Sequence, residues 1–306
     1  MFTKSCIQLR TIIIALCSAT ASLTASAQVY SLSPNSDIVG QVQTTVVKPG
    51  DTIPQIARNF DMGYTEISEA NPSVDPNKLM PGTVLVIPSQ YVLPNAPRDG
   101  IVVNLAEMRL YYFPKGRGQV ITYPIGIGRE GENTPIGVLQ IIQHIPNPTW
   151  YVPESIREMR AAQGVNLPKF IPPGPDNPLG KFAMRLSNPN YLVHGTNDPL
   201  GGIGRRSSSG CLRLYPEDIE PLFRMVSNGT KVYVVNEVYK VGWNQNQLFL
   251  ESHVALDQAD QALDNKDEIR NIVQLATRGR NVQVDWNKAL AISQEVQGIP
   301  QSISHY

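Results

Sequence analysis

Apolar residues along this chain recur with two different periods, and the change of period divides it. Thr44 to Val47 alternates as a strand, and Lys48-Pro49-Gly50-Asp51-Thr52 makes a turn. Ile53, Ile56, Ala57 and Phe60 then fall at i, i+3, i+4 and i+7, one face of a helix that Thr52 can cap. A second short helix is predicted from Thr65 to Ala70, ended by Asn71-Pro72, and Pro81-Gly82 turns into the alternating strand Val84 to Ile87. Residues 44–88 therefore read as one βααβ unit, followed by a linker marked by Pro94 and Pro97.

The period of two dominates residues 99–236. Ile101 to Leu105 and Met108 to Phe113 read as a hairpin, with Val120 to Gly126, Gly137 to His144 and Lys231 to Val235 as further strands in mostly antiparallel packing. A Pro-rich excursion from Pro146 to Gly180 carries Trp150, a short helix near Glu154 to Gln163 and the turn-rich Pro172 to Pro178. Excursions of that length on a β scaffold build a site or a lid. Beyond residue 237 strand-like pieces give way to a helix with Ile269, Ile272, Val273 and Ala276 on one face, and another around Trp286 to Val296. No chemistry is visible in 237–306, which reads as a partly helical extension that caps the preceding unit or docks a partner. The fold class expected is mainly β.

At the N-terminus Lys4 and Arg10 precede an apolar run, Thr11 to Leu16, and Ala25-Ser26-Ala27 offers small residues for cleavage before Gln28. Residues 1–27 therefore read as a signal peptide and the compartment as a bacterial periplasm, with a retained anchor as the alternative. Leu16 is larger than the residue that lipid attachment at Cys17 would call for. The apolar run falls far short of the roughly 20 residues that span a bilayer, and no later segment is long and apolar enough. Taking Lys4 and Arg10 from the 26 basic residues leaves 24 against 26 acids, a net charge of about −2 that argues against a nucleic-acid partner. Cleavage also removes Cys6 and Cys17, leaving Cys211 without an intramolecular disulfide partner. A lone thiol in an oxidising compartment is a liability unless it is buried or used. His144, His194, His253 and His305 show no paired ligand spacing, so neither a metal nor another cofactor is expected.

The informative segment runs from Tyr191-Leu192-Val193-His194-Gly195 to Ser207-Ser208-Ser209-Gly210-Cys211-Leu212-Arg213. His194 ends an apolar strand and faces a loop. Cys211 sits in a turn of small residues before a helix that opens at Pro216 and carries Ile219, Leu222, Phe223 and Val226 on one face. A free cysteine is commonly a small buried hydrophobe. Here three serines, a glycine, Arg205, Arg206 and Arg213 argue for a polar, electropositive surround, which would bring the thiol from about 8.5 to below about 7.5.

Across Thr44 to Pro88 the strand, Gly-Asp-Thr turn, Ile-Ala helix, Asn-Pro and Pro-Gly before Leu-x-Ile-Pro resemble a LysM module. The resemblance implies binding to N-acetylglucosamine-containing glycan, in a groove between Gly50, Asp51, Thr52 and Ile53 on one side and roughly Asn77 to Met80 on the other. The alternative is a module that only orients its neighbour. His194-Gly195 and Ser208-Ser209-Gly210-Cys211-Leu212-Arg213 resemble the motif of the L,D-transpeptidases of the YkuD type. Tyr123-Pro124-Ile125-Gly126, Thr134-Pro135-Ile136-Gly137, Asn147-Pro148-Thr149-Trp150 and Asp176-Asn177-Pro178-Leu179-Gly180 resemble the ErfK/YbiS branch, which includes enzymes that join a lipoprotein to peptidoglycan.

This resemblance implies that Cys211 attacks the third residue of a tetrapeptide stem and releases D-alanine, with His194 as general base. Many members carry histidine where this chain has Ser209, so His194 must act alone. Gly195 would orient the ring, and Gly210 and Cys211 N–H groups, beside Ser209, would hold the oxyanion. Arg213 would bind a substrate carboxylate or brace the loop, Trp150 would line the peptide groove, and Tyr191 would either line it or pack into the core. The acceptor would be a lysine of an outer-membrane lipoprotein or a second stem peptide, giving a 3-3 cross-link. A peptidase or L,D-carboxypeptidase using water, and a non-catalytic wall-binding protein, are the competing readings.

Overall fold

The computed structural model describes residues 27–256 and 266–305. The signal-peptide reading falls on residues that, Ala27 apart, lie outside the described ones. The described chain is mainly β and is organised by one nine-stranded sheet. In spatial order its strands are Gln28–Ser31, Gln119–Pro124, Arg109–Phe113, Gly100–Asn104, Lys231–Val235, Gly137–Pro146, Phe182–Leu186, Leu192–His194 and Leu212–Arg213. Alternation does the work expected of it. Val193, Leu212 and Leu214 point into a core shared with Ile101, Val103, Leu110 and Tyr123, and with Ile219 and Leu222 of the helix Pro216–Met225. Val102, Tyr111, Phe113 and Val120, alternating with that set, build a second core on the opposite face with Val39, Tyr91 and Leu93.

Two features depart from the expectation. Gln28–Ser31, where no strand is predicted above, is an edge strand paired antiparallel with residues 119–122. Two strand pairs of the large sheet are parallel: Lys231–Val235 with Gly100–Asn104, and Leu192–His194 with Leu212–Arg213. Both rest on long-range closure, which local periodicity does not register.

The βααβ unit forms as expected, with strands Gln43–Val46 and Val84–Ile87 paired and helices Ile53–Asn59 and Tyr64–Ala70 packed on them. Thr52 caps the first helix by accepting from the Gln55 N–H. This unit is clamped to the large sheet. Arg109 forks onto Glu66 (2.8 and 3.0 Å), with Arg109 fully buried, and Arg58 pairs with Glu217 at 2.7 Å. Gly63 and Gly204 meet backbone to backbone, and a Cβ on Gly204 would lie 2.2 Å from Tyr64 N. There the Thr65 N–H and hydroxyl both donate to the Gly204 carbonyl (3.2 and 2.6 Å). The unit therefore grips the segment that joins His194 to Cys211.

The C-terminal residues form a three-stranded sheet, Tyr239–Asn244, Gln247–Ser252 and Gln301–Ser302, covered by the helices Lys266–Thr277 and Trp286–Glu295 around a core of their own. Among the described residues no helix is long and apolar enough to cross a membrane.

Candidate active site

Parallel pairing of Leu192–His194 with Leu212–Arg213 sets Val193 opposite Leu212 and His194 opposite Arg213. Alternation turns Val193 and Leu212 into the core, so His194 and Arg213, with Cys211 two residues before Arg213, share the other face. Strand spacing puts Cys211 about 6.6 Å along the sheet from the His194 and Arg213 level. The Leu214 N–H donates to the His194 carbonyl at 2.9 Å and fixes this register.

His194 is 3% exposed. Its Nδ1 lies 2.6 Å from the Gly195 carbonyl, and a carbonyl only accepts, so Nδ1 carries the proton and Nε2 keeps its lone pair. Burial, and then the Arg213 charge, push the ring down to about 3 against its hydrogen bonds to the Gly195 carbonyl and the Leu179 main chain. The imidazole is therefore neutral across the physiological range.

Cys211 is a free, half-buried thiol. Burial pushes it up, against a hydrogen bond to Leu192 and the Arg213 charge, which corrects the expectation of a lowered thiol. The expected electropositive surround does not assemble. Arg205 stacks on the Tyr64 ring, 3.4 Å from its centroid, and Arg206 braces Leu256 O, Asn133 Oδ1 and Gly128 O. Only Arg213 of the three faces the sulfur. Its Nη1 donates to Ser207 Oγ at 3.2 Å, while its buried Nε has no partner.

The turn before the cysteine is closed by Ser208. Ser208 Oγ donates to the Cys211 carbonyl (2.6 Å) and accepts the Gly210 N–H (3.1 Å). The Gly210 N–H, expected at the oxyanion, is therefore spent within the turn. Gly210 has φ +94° and lies under the Tyr191 ring, where a Cβ would meet Cε1 at 2.5 Å, so only glycine fits. Thr134 Oγ1 donates to the Gly210 carbonyl and ties the turn to the 128–134 loop. Ser209 is half-buried beside it.

Trp150 sits on a two-stranded hairpin, Trp150–Tyr151 with Phe170–Ile171, whose Tyr151 and Phe170 rings are exposed. Asn177 ties that hairpin to the site. Its Nδ2 donates to the carbonyls of Pro148, Ile171 and Pro172, and its Oδ1 accepts from the Leu179 N–H, next to the main chain that holds His194. No role was read for Asn177, although an asparagine before proline in a turn-rich run was the available signal.

On the small unit, Gly50 and Thr52 lie on the surface with Asp51 half-buried beside them. Ile53, expected on a glycan groove, is 1% exposed. It is the first residue of the apolar helix face and packs into the core.

Known proteins resemble this chain over both the large-sheet region and the small unit. Residues 98–234 match the model of the L,D-transpeptidase catalytic domain, YkuD, and residues 45–88 match the LysM domain. The chain is 45% identical over 231 residues to the probable L,D-transpeptidase YcfS of Escherichia coli, covering 74% of this chain and 72% of that protein. It is 44% identical over 221 residues to the probable L,D-transpeptidase YbiS of E. coli, covering 71% and 72%. It is 37% identical over 291 residues to the probable L,D-transpeptidase ErfK/SrfK of E. coli, covering 93% of each chain. Motif, fold and relatives converge, and the chain belongs to the YkuD family of L,D-transpeptidases, a family of transferases, with a LysM domain preceding the catalytic one.

Proposed function

We propose that this L,D-transpeptidase works through a thioester on Cys211 and that residues 99–236 carry the whole of the chemistry. The carrying observation is the shared sheet face of His194, Cys211 and Arg213, fixed by the parallel register. With a neutral imidazole facing a neutral thiol, no ion pair exists before substrate arrives. The proton moves from Cys211 Sγ to His194 Nε2 as sulfur bonds to the carbonyl carbon of the third, diamino acid residue of a tetrapeptide stem. The tetrahedral oxyanion is held by the Cys211 and Ser209 main-chain N–H groups, since Gly210's is engaged, at about 3 to 4 kcal/mol per donor. As the intermediate collapses the C–N bond to D-alanine breaks and the leaving amine takes the proton from His194. An acceptor amine then gives its proton to His194 and its nitrogen to the thioester, releasing the thiol.

The free Nε of Arg213 is a donor for a stem-peptide carboxylate, and Tyr191 and Trp150 wall the groove under the 146–180 lid. Residues 44–88 bind glycan through Gly50, Asp51 and Thr52, and residues 237–306 cap the assembly. The enzyme is exported to the periplasm, where the acceptor is a lipoprotein lysine or a second stem peptide.

Mass spectrometry with a disaccharide-tetrapeptide tests this, comparing wild type with Cys211→Ala. The expected result is an adduct that keeps the tripeptide and has lost D-alanine, present only in wild type and resolved by added amine. Resolution by water alone would make the protein a hydrolase. No adduct on a thiol that still alkylates would overturn the thioester route.

A further inference from the structure

The interface between the LysM unit and the large sheet buries more carboxylates than cations. Among the described residues Arg109 is the only buried guanidinium facing it, and its donors are committed to Glu66, Thr122 Oγ1 (3.0 Å) and the Asp61 carbonyl (3.1 Å). Arg58, at the rim, is taken by Glu217. That leaves the side chains of Asp61 and Asp218, 2% and 1% exposed, hydrogen-bonded to each other with no cation of their own. Asp218 Oδ2 has no hydrogen-bond partner. The hydroxyls nearby do not supply one: Tyr215 donates to the Met62 carbonyl at 3.0 Å, and Tyr123 OH is itself unpartnered. Burial pushes both carboxyls up, Asp61 to about 7, against the pull of Arg109.

A main-chain nitrogen faces this pair on the Asp61 side. Gln28 N lies 3.2 Å from Asp61 Oδ2. Its position is fixed on three sides. The strand Gln28–Ser31 is zipped onto residues 119–122, Gln28 Nε2 donates to the Phe60 carbonyl at 2.7 Å, and the Tyr30 hydroxyl donates to Gln28 Oε1. Gln28 is also the residue that follows Ala25-Ser26-Ala27.

We infer that Asp61 and Asp218 form a receiving site for the α-ammonium of Gln28, created when a leader peptidase hydrolyses the Ala27–Gln28 bond. Water adds to the Ala27 carbonyl carbon, the C–N bond breaks, and the released amine takes a proton at neutral pH. Before cleavage Gln28 N offers the pair one neutral N–H; afterwards it offers three donors and a full positive charge. The pair belongs to two elements that matter for the site: Asp61 follows the first LysM helix, and Asp218 lies in the first turn of Pro216–Met225, the helix after the cysteine strand. The ammonium therefore locks N-terminal strand, LysM unit and catalytic helix together only in the processed chain. This inference rests on the export reading above.

The test uses the full-length chain exported with its own leader. Mass spectrometry identifies the first residue, and the pH dependence of N-terminal acetylation gives the amine's pKa in the native protein. The expected result is a free Gln28 amine with a pKa at least about one unit above its ordinary 7.7 to 8.0, so that acetylation near pH 7.5 is roughly tenfold slower than in the unfolded chain. Asp61→Asn, or Asp218→Asn if the first does not fold, returns the rate to within about twofold of the unfolded value. A first residue other than Gln28 overturns the export reading at this bond and the inference with it. Gln28 first with an ordinary amine, or cyclised with loss of ammonia, overturns the inference alone.

Discussion

His194 and His253 are buried to the same degree, 3% and 4% exposed, yet the protein drives their basicity in opposite directions, to about 3 and about 9. Burial works against the charged form in both. Around His194 no opposite charge offsets it: Arg213 is the charge that faces the ring, and the hydrogen bonds to Gly195 and Leu179, which pull the other way, involve neutral main-chain groups and are outweighed. Around His253 the balance reverses. Nε2 lies 2.8 Å from Glu251 Oε1 and 3.9 Å from Glu107 Oε2, and Nδ1 lies 3.9 Å from Glu69 Oε2. Lys240 Nζ sits in the same cluster, 2.6 Å from Glu107 and 2.9 Å from Glu251, so the cation that three convergent ligand side chains would invite is a lysine of the chain itself. The cluster joins the C-terminal sheet to the large sheet and to the LysM helix that carries Glu69, and it also takes the Val92 N–H and carbonyl. Depth alone thus says nothing about an imidazole's role. The sign of the charges that face it separates an imidazole kept neutral from one kept charged.

The largest effect that would sharpen this contrast lies on the acid side. His194 is neutral when folded and must charge at low pH, so stability is full above about 6.5 and is lost as pH falls toward about 3. Over that window the loss reaches about 5 kcal/mol, at roughly 1.4 kcal/mol per unit. Urea unfolding from pH 7 to 4 should show a steeper acid loss in wild type than in His194→Asn; parallel curves would break the comparison. Next comes activity. His194→Asn should lower kcat/KM by about 10²- to 10⁴-fold, whereas His253→Asn should leave it within a few-fold at a temperature where both are folded. Equal losses would mean that His253 acts on the site.

The alkaline side carries the third effect. His253 is charged when folded with a raised pKa, so its contribution is complete below about 6.5 and disappears as pH rises to about 9. The loss is about 3 kcal/mol, and it should vanish in His253→Asn.

That contrast was half legible in the sequence. His194 announced itself through local context, a strand end before glycine with a cysteine turn downstream, and the LysM helices through their spacing and the Thr52 cap. The acidic partners of His253 are Glu69, Glu107 and Glu251, and only Glu251 is close to it in sequence. The same limit hid the edge strand Gln28–Ser31 and the parallel pairing that sets His194 opposite Arg213, both made by strands that are not neighbours in the chain. Reading charge from composition misled at Cys211. Arg205 and Arg206 are close in sequence, but their guanidinium groups reach Tyr64 and the carbonyls of Leu256 and Gly128, so burial of the sulfur prevails.

The smallest effect discriminates most finely within the His253 cluster. Glu69 stands 3.9 Å from Nδ1, too far for a strong hydrogen bond, and its side chain is 13% exposed, whereas Glu251 is fully buried at 2.8 Å. If distance and desolvation govern the shift, Glu69→Gln should move the alkaline midpoint toward neutrality by less than about one unit and cost about 1 kcal/mol or less near pH 7. Glu251→Gln should cost several times more, because it strips Lys240 of a partner as well. NMR titration of the His253 ring in the two variants measures both. A shift in Glu69→Gln as large as in Glu251→Gln would mean that the LysM helix, rather than the C-terminal sheet, holds the histidine charged. The LysM unit would then bear on the C-terminal domain as directly as it grips the segment between His194 and Cys211.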